Sequence, residues 1–234
     1  VVIMAKAPVA GSVKTRLCPP MTPDRAAALA EAALLDTLDA VIASAAGRAV
    51  LALDGAPGPW LPGTVEVMAQ RTGEFGERLS GAIDDAWAGA ALPVVVVGMD
   101  TPQMTGGDLD RVAEPLLSRA TATGCVGAVL GPADDGGYWA VGVRRPVPGM
   151  FDGVPMSTGR TGAAQLDRLT ALGVACAVAH RMRDVDEIGD AVAVAALAPA
   201  TRFATVLRCF VDGTPVPVAT DRAGAAPVSA GVRG

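Results

Sequence analysis

Four consecutive valines, Val94 to Val97, follow Pro93 and lead into Gly98-Met99-Asp100-Thr101-Pro102. A strand with one wet face is never that apolar, so the run reads as a strand buried on both sides, the usual state in a parallel sheet covered by helices. Gly98 lets the backbone turn where the run stops, and Pro102 keeps the strand from continuing. Asp100 then sets a carboxylate at the strand's carboxyl end, where ligands of open α/β sheets bind. The alternative is that Asp100 only caps a helix starting near Thr105.

Strand and helix patterns alternate along the rest of the chain. Residues 1–4, 48–53, 64–68, 125–130 and 174–179 read as strands, with a further aromatic strand opening at Tyr138. Thr22 followed by Pro23 marks a helix start, and Leu34, Leu38, Val41 and Ile42 recur at helical spacing, which predicts a helix over 23–46. Leu79, Ile83 and Trp87 form the inward stripe of a second helix, leaving Glu77 and Arg78 near its start to face a cleft. Further helices are predicted over 108–119, 158–172 and up to residue 197, and a last amphipathic stretch spans 201–210. Such alternation predicts an α/β sandwich built as one domain over 1–210, followed by a Pro/Gly/Ala-rich tail over 211–234. That tail cannot bury enough surface to fold alone, so it is expected to lie extended against its own domain or a neighbouring subunit, as in a homodimer.

Composition removes several classes of function. Hydrophobic residues make up 51% of the chain, yet no run approaches the roughly 20 apolar residues of a membrane span. A net charge of -5 argues against wrapping a nucleic-acid backbone, which needs a basic face, but leaves free nucleotides open. Cys18, Cys125, Cys176 and Cys209 lie far apart beside a single histidine, His180. Neither a zinc site nor a disulfide framework fits, no basic stretch introduces a secretory leader, and a cytoplasmic protein with reduced cysteines is expected.

The polar residues fall into complementary groups. The segment from Lys6 to Leu17 carries Lys6, Lys14 and Arg16 around Gly11 and reads as a cradle for an anion, although it lacks the spacing of a Walker A loop. A merely solvated basic loop is the alternative. Opposite in charge are Asp100, the Asp134-Asp135 turn before Gly136-Gly137, and Asp184-Val185-Asp186. In an extended segment Asp184 and Asp186 share one face about 6–7 Å apart. One divalent ion can sit among such oxygens, and without thiolates or paired imidazoles it should be a hard one, Mg²⁺ or Mn²⁺. Each acid could instead cap a helix or close a turn, and His180 reads as a hydrogen-bonded structural residue rather than a ligand.

In order, Lys6-Ala7-Pro8 with Gly11, Lys14-Thr15-Arg16-Leu17, Gln70-x-x-Gly73-x-x-Gly76-Glu77-Arg78, Gly98-x-Asp100-x-Pro102, Gly131-Pro132-Ala133-Asp134-Asp135-Gly136-Gly137-Tyr138 and Asp184-Val185-Asp186 form a set of blocks. Together they resemble the bacterial and archaeal glycosyltransferase-A-like proteins of unknown function often described as selenium-domain-associated transferases. Related guanylyltransferases, including the phospholactate enzyme of the deazaflavin pathway, are similar at Lys-Thr-Arg-Leu and the last Asp-x-Asp but differ at Gly136-Gly137-Tyr138. The family commonly has tryptophan where Met156 precedes Ser157-Thr158 here. This resemblance implies a nucleotide-diphospho-sugar transferase fold, a three-layer sandwich around a mixed, mostly parallel seven-stranded sheet. It also implies Asp100 as a metal-binding acid with Asp184 or Asp186 as the second ligand.

The function expected on this basis is a metal-dependent glycosyltransferase using a nucleotide-diphosphate-sugar donor and a small-molecule acceptor. Lys6, Gly11, Lys14 and Arg16 would hold the donor phosphates, Gln70, Gly76 and Arg78 would flank its base or sugar, and Asp135 would be the general base beside Asp100. The runners-up are a nucleotidyltransferase releasing pyrophosphate and a catalytically silent nucleotide-binding protein.

Overall fold

The computed structural model of the chain describes residues 1–63, 65–118 and 125–216. The strands are β1 (Val2–Lys6), β2 (Val50–Asp54), β3 (Glu66–Ala69), β4 (Val94–Gly98), β5 (Ala128–Pro132), β6 (Tyr138–Val143) and β7 (Cys176–Val178). Side by side they form one seven-stranded sheet in the order β3-β2-β1-β4-β6-β5-β7. All neighbours are parallel except that β6 runs antiparallel to β4 and β5. The valine run is thus the central strand, and reversal of β6 brings Tyr138, its first residue, to the edge where the other strands end.

None of the four β4 valines is more than 4% exposed, because each face of the strand is covered. Val95 and Val97 pack with Leu34, Leu38 and Val41 of α1 (Pro23–Ala43) and with Leu109, Val112 and Leu116 of α3 (Gly106–Leu117). Val94 and Val96 pack on the other side with Leu79 and Ile83 of α2 (Phe75–Ala90) and Leu169 of α4 (Thr161–Ala171). The result is a mixed, mostly parallel α/β three-layer sandwich.

Helix α1 has a second buried face. Leu29 and Ala33 pack with Val194 of α5 (Ile188–Leu197) and with Phe203 and Leu207 of α6 (Arg202–Asp212), so this pair of helices covers α1 from outside. Its many alanines let helices approach on both sides, which the single stripe read from the sequence did not anticipate. Ile42, counted in that stripe, is 57% exposed. The helix also ends at Ala43, short of residue 46, because Ser44 turns extended and its hydroxyl bonds back to Val41 O at 2.7 Å. Lys6, read as loop, closes β1 instead. Helix α6 runs two residues beyond the expected tail boundary, to Asp212, and residues 217–234 of that tail lie outside the described residues, as do Thr64 and Arg119. Among the described residues no helix is long and apolar enough to cross a membrane.

The outer layer is tied to α1 by two carboxylates, Asp39, which lies 2.7 Å from the Arg202 guanidinium, and the more buried Asp36. Asp36, its side chain 8% exposed, accepts the N–H groups of Arg202 and Phe203 at 3.1 and 2.8 Å in the first turn of α6, and it pairs with the Arg202 guanidinium. Two donors that a helix leaves unpaired are thereby satisfied. Asp36→Ala is expected to cost about 2 kcal/mol and to lower the melting temperature by about 4–8 °C, with Asp36→Asn recovering part. A melt within about 1 °C of the parent would show that α6 does not depend on this cap.

Candidate active site

The ends of the parallel strands and the start of β6 surround an open cleft of about 680 Å³. Its walls are the first loop from Ser12 to Arg16, the acids Asp100, Asp135, Asp184 and Asp186, and the segment before α4 that includes Met156, Ser157 and Thr158.

Burial of one valine aims two of the acids. Val185 is fully buried in the cluster formed with α1, α5 and α6, and its N–H donates to Asp100 O at 2.8 Å. Its neighbours Asp184 and Asp186 therefore project the other way along the extended chain, into the cleft. Asp135 meets them from the turn after β5, where Gly136 adopts φ 89° and a side chain would strike Gly159 O. Asp135, Asp184 and Asp186 each offer an oxygen within 4.8 Å of the others. Burial first, then the charge of Asp135, with further repulsion from Asp186 and Asp100, pushes the Asp184 carboxyl up to about 6. An arrangement of oxygen donors whose charges oppose one another suits a hard divalent cation, which would relieve the repulsion.

Asp100 does not join this trio. Lys14 reaches across from the first loop, its ammonium bonding Val185 O and lying 2.5 Å from Asp100 Oδ1. Lys14 is held in a left-handed backbone, φ 49°, with its side chain only 8% exposed, so it clasps the end of β4 to the acidic segment. Nor does Asp100 cap α3, because Thr105 and Asp108 exchange hydrogen bonds in a capping box there. Arg16 pairs with Asp186 at a well-exposed position.

The other residues expected at the site divide. Lys6, at the end of β1, and Arg78 line the cleft. Arg78 lies 3.6 Å from Asp54 and over the Phe75 ring, while its buried Nε has no partner among the described residues. Gln70 also lines the cleft, but its amide nitrogen bonds Ala5 O and Ala52 O at 2.9 and 2.8 Å, holding the ends of β1 and β2 together. Gly76 packs instead against Phe151 and Met156, where a Cβ would lie 3.1 and 3.3 Å from their side chains. Gly11 is exposed and does not line the cleft, which the first loop joins from Ser12 onward. Asp134 pairs with Arg183 at 3.3 Å. His180 sits 3.1 Å from Asp108, and its carbonyl accepts the Trp139 indole N–H at 3.0 Å, so it is tied into the fold away from the acids.

Of the two rings after the glycines, Trp139 fills the α1/α3 side of the core at 3% exposure, and Tyr138 faces the α2/α4 side. Sequence reasoning did not count Ser157 to Thr161 as a cleft wall. The signal was present in Ser157-Thr158-Gly159-Arg160-Thr161-Gly162, a small, polar run ahead of a helix.

The sequence profile of a family described as "Uncharacterized protein conserved in bacteria (DUF2064)" matches residues 28–158. The chain belongs to this DUF2064 family. The matched span contains Gln70, Arg78, Asp100 and Asp135, whereas the first loop and Asp184-Val185-Asp186 lie outside it. No curated protein matches the sequence. Among solved structures, a protein from Desulfovibrio desulfuricans G20, provisionally described as a nucleotide-diphospho-sugar transferase, has a TM-score of 0.77 at 23% identity, covering 88% of this chain and 93% of that one. A cytidylyltransferase from Leptospira borgpetersenii has a TM-score of 0.50 at 10% identity, covering 91% and 93%. CMP:2-keto-3-deoxy-manno-octonic acid synthetase, complexed with CTP, has a TM-score of 0.50 at 12% identity, covering 84% and 97%. At these identities the likeness is one of fold.

Proposed function

We propose that this DUF2064 protein is a metal-dependent glycosyltransferase that takes a sugar from a nucleotide-diphosphate donor and passes it to a small-molecule acceptor. The observation that supports this most is the opposition, across one cleft at the strand ends, of the cations Lys6, Lys14 and Arg16 and the acids Asp135, Asp184 and Asp186. Arg16 and Asp186 are exposed by 64% and 43%, and a pair that open contributes at most about 1 kcal/mol. It opens readily to admit a diphosphate, with Arg16 turning to the phosphate oxygens and Asp186 freed for a cation.

Asp184 and Asp186 would hold Mg²⁺ or Mn²⁺, with donor phosphate oxygens and water completing the shell. The ion would neutralise the charge of the departing nucleoside diphosphate. Asp135, beside those ligands at the cleft mouth, accepts the proton of the acceptor hydroxyl. Asp100, expected from the sequence as a ligand, is assigned the holding of Lys14. Arg78, with its unpartnered Nε, contacts the donor, and Gln70 keeps the strand ends beneath it in place.

A second reading, nucleotidyl transfer with release of pyrophosphate, is favoured by the fold shared with a cytidylyltransferase and with a synthetase solved in complex with CTP. The two readings separate in a thermal-shift panel of nucleoside mono-, di- and triphosphates and nucleotide sugars with Mn²⁺, followed by product analysis. At a hundredfold excess over Kd, diphosphates and their sugars are expected to raise the melting temperature by about 5–10 °C. Preference for a triphosphate, with pyrophosphate as product, would replace the first reading by the second.

A further inference from the structure

The cleft is not polar throughout. Met4, Val96 and Val141, on adjacent strands β1, β4 and β6, belong to the core on the α2/α4 side, yet they also line the cleft. They are 6%, 2% and 1% exposed, so they form a closely packed apolar floor beneath the cleft. Tyr138 and Met156 line the same cleft and pack, partly buried, against that core. The Tyr138 hydroxyl has one partner among the described residues, the Met156 sulfur at 3.8 Å. A thioether is a weak acceptor, and a buried hydroxyl is normally better satisfied. Burial also pushes the Tyr138 phenol upward, so it remains a neutral donor. Thr161 Oγ1, another polar atom of the cleft wall, is already engaged: it bonds Pro155 O at 2.7 Å and accepts Thr158 N at 3.0 Å.

From these contacts we propose that the recess lined by Tyr138 and Met156 is the acceptor site, and that the acceptor is an alcohol with a single polar end on an alkyl or aromatic body. A polyol would strand several hydroxyls against Met4, Val96 and Val141, at a cost of about 1–3 kcal/mol each. One hydroxyl finds a partner in Tyr138, while the body fills the apolar floor and Met156 adapts to its shape. The assignment as acceptor rests on the transferase reading, whereas the recess and its ligand class stand on their own contacts.

The test follows the methyl resonances of Met4 and Met156 in the full chain, with methyl-labelled methionine, during titration with benzyl alcohol, toluene or glycerol. Benzyl alcohol and toluene are expected to shift both methyls, and glycerol at equal concentration neither. Tyr138→Phe should weaken benzyl alcohol about threefold to tenfold and leave toluene unchanged. Met156→Trp, read at Met4, should fill the recess and abolish both shifts. The proposal is overturned if neither methyl responds in the parent, if glycerol matches benzyl alcohol, or if Tyr138→Phe affects both probes alike. Adding a nucleoside diphosphate with Mn²⁺ to the same samples separates the two ideas: probe binding without nucleotide binding sinks the transferase reading and leaves the recess in place.

Discussion

Asp184→Asn is expected to abolish divalent-dependent nucleotide binding, a loss of at least about 100-fold, while making the metal-free protein more stable. Both effects have one cause. The folded chain holds the Asp184 carboxyl at about 6, above its ordinary 3.8, through burial and then the charge of Asp135, with Asp186 and Asp100 adding to it. A folded value above the unfolded one means that the stability contributed by this group is fully present below about pH 4 and is lost as pH rises through about 6. At neutral pH the ionised carboxylate therefore works against the fold, and amide replacement removes that repulsion. With solvent screening allowed for, the gain should be near 1 kcal/mol, or about 2–4 °C in melting temperature. Divalent affinity in the parent should weaken as pH drops below about 6, where protons compete for the same oxygens. Melting curves of parent and variant at pH 5 and 7.5, with and without Mn²⁺, decide the matter. If Mn²⁺ stabilises both proteins equally, Asp184 is not a ligand.

Lys14→Ala is expected to be the most damaging change in the first loop, and Arg16→Ala much milder for the fold. Lys14 is nearly buried and holds both Asp100 and the carbonyl of Val185. Its loss leaves that carbonyl unpaired and unlatches the segment carrying Asp184 and Asp186. Asp100 is half exposed, so water softens the penalty to about 1–2 kcal/mol. Nucleoside diphosphate affinity should nevertheless fall about 100-fold, because a cation and the alignment of the acids disappear together. Arg16→Ala should leave stability within about 0.5 kcal/mol and weaken diphosphates only. Calorimetry with a nucleoside and its diphosphate separates the cases: equal losses for both ligands would place these cations away from the phosphates.

Much of this architecture was legible in the chain itself. The uninterrupted valines demanded burial on both faces, and the structure supplies α1 and α3 on one side and α2 and α4 on the other. Thr22-Pro23 started α1 where a cap and a preset proline φ require. The sequence also marked the charged groups that meet in the cleft, since strand-end carboxylates and a cationic first loop converge wherever parallel strands end together. Local pattern could not reveal the antiparallel course of β6, because a strand buried on both faces looks the same in either direction. Nor could it reveal the outer α5/α6 layer, because alanines on α1 carry too little hydrophobic contrast to betray a second buried face.

Within the site, the sequence alone determined which residue types were available: oxygen donors without thiolates, and cations grouped in one loop. Which of them meet was decided by tertiary structure. Val185, an ordinary valine in the chain, sinks into a core formed by helices from both ends of the sequence and so turns Asp184 and Asp186 toward Asp135. Lys14 is drawn to Asp100 across 86 residues of sequence, while Gln70 and Gly76, sited by the same kind of motif, are taken up in holding strands and packing helix α2. Pairings of this kind depend on long-range burial and charge compensation, which short-range spacing does not encode.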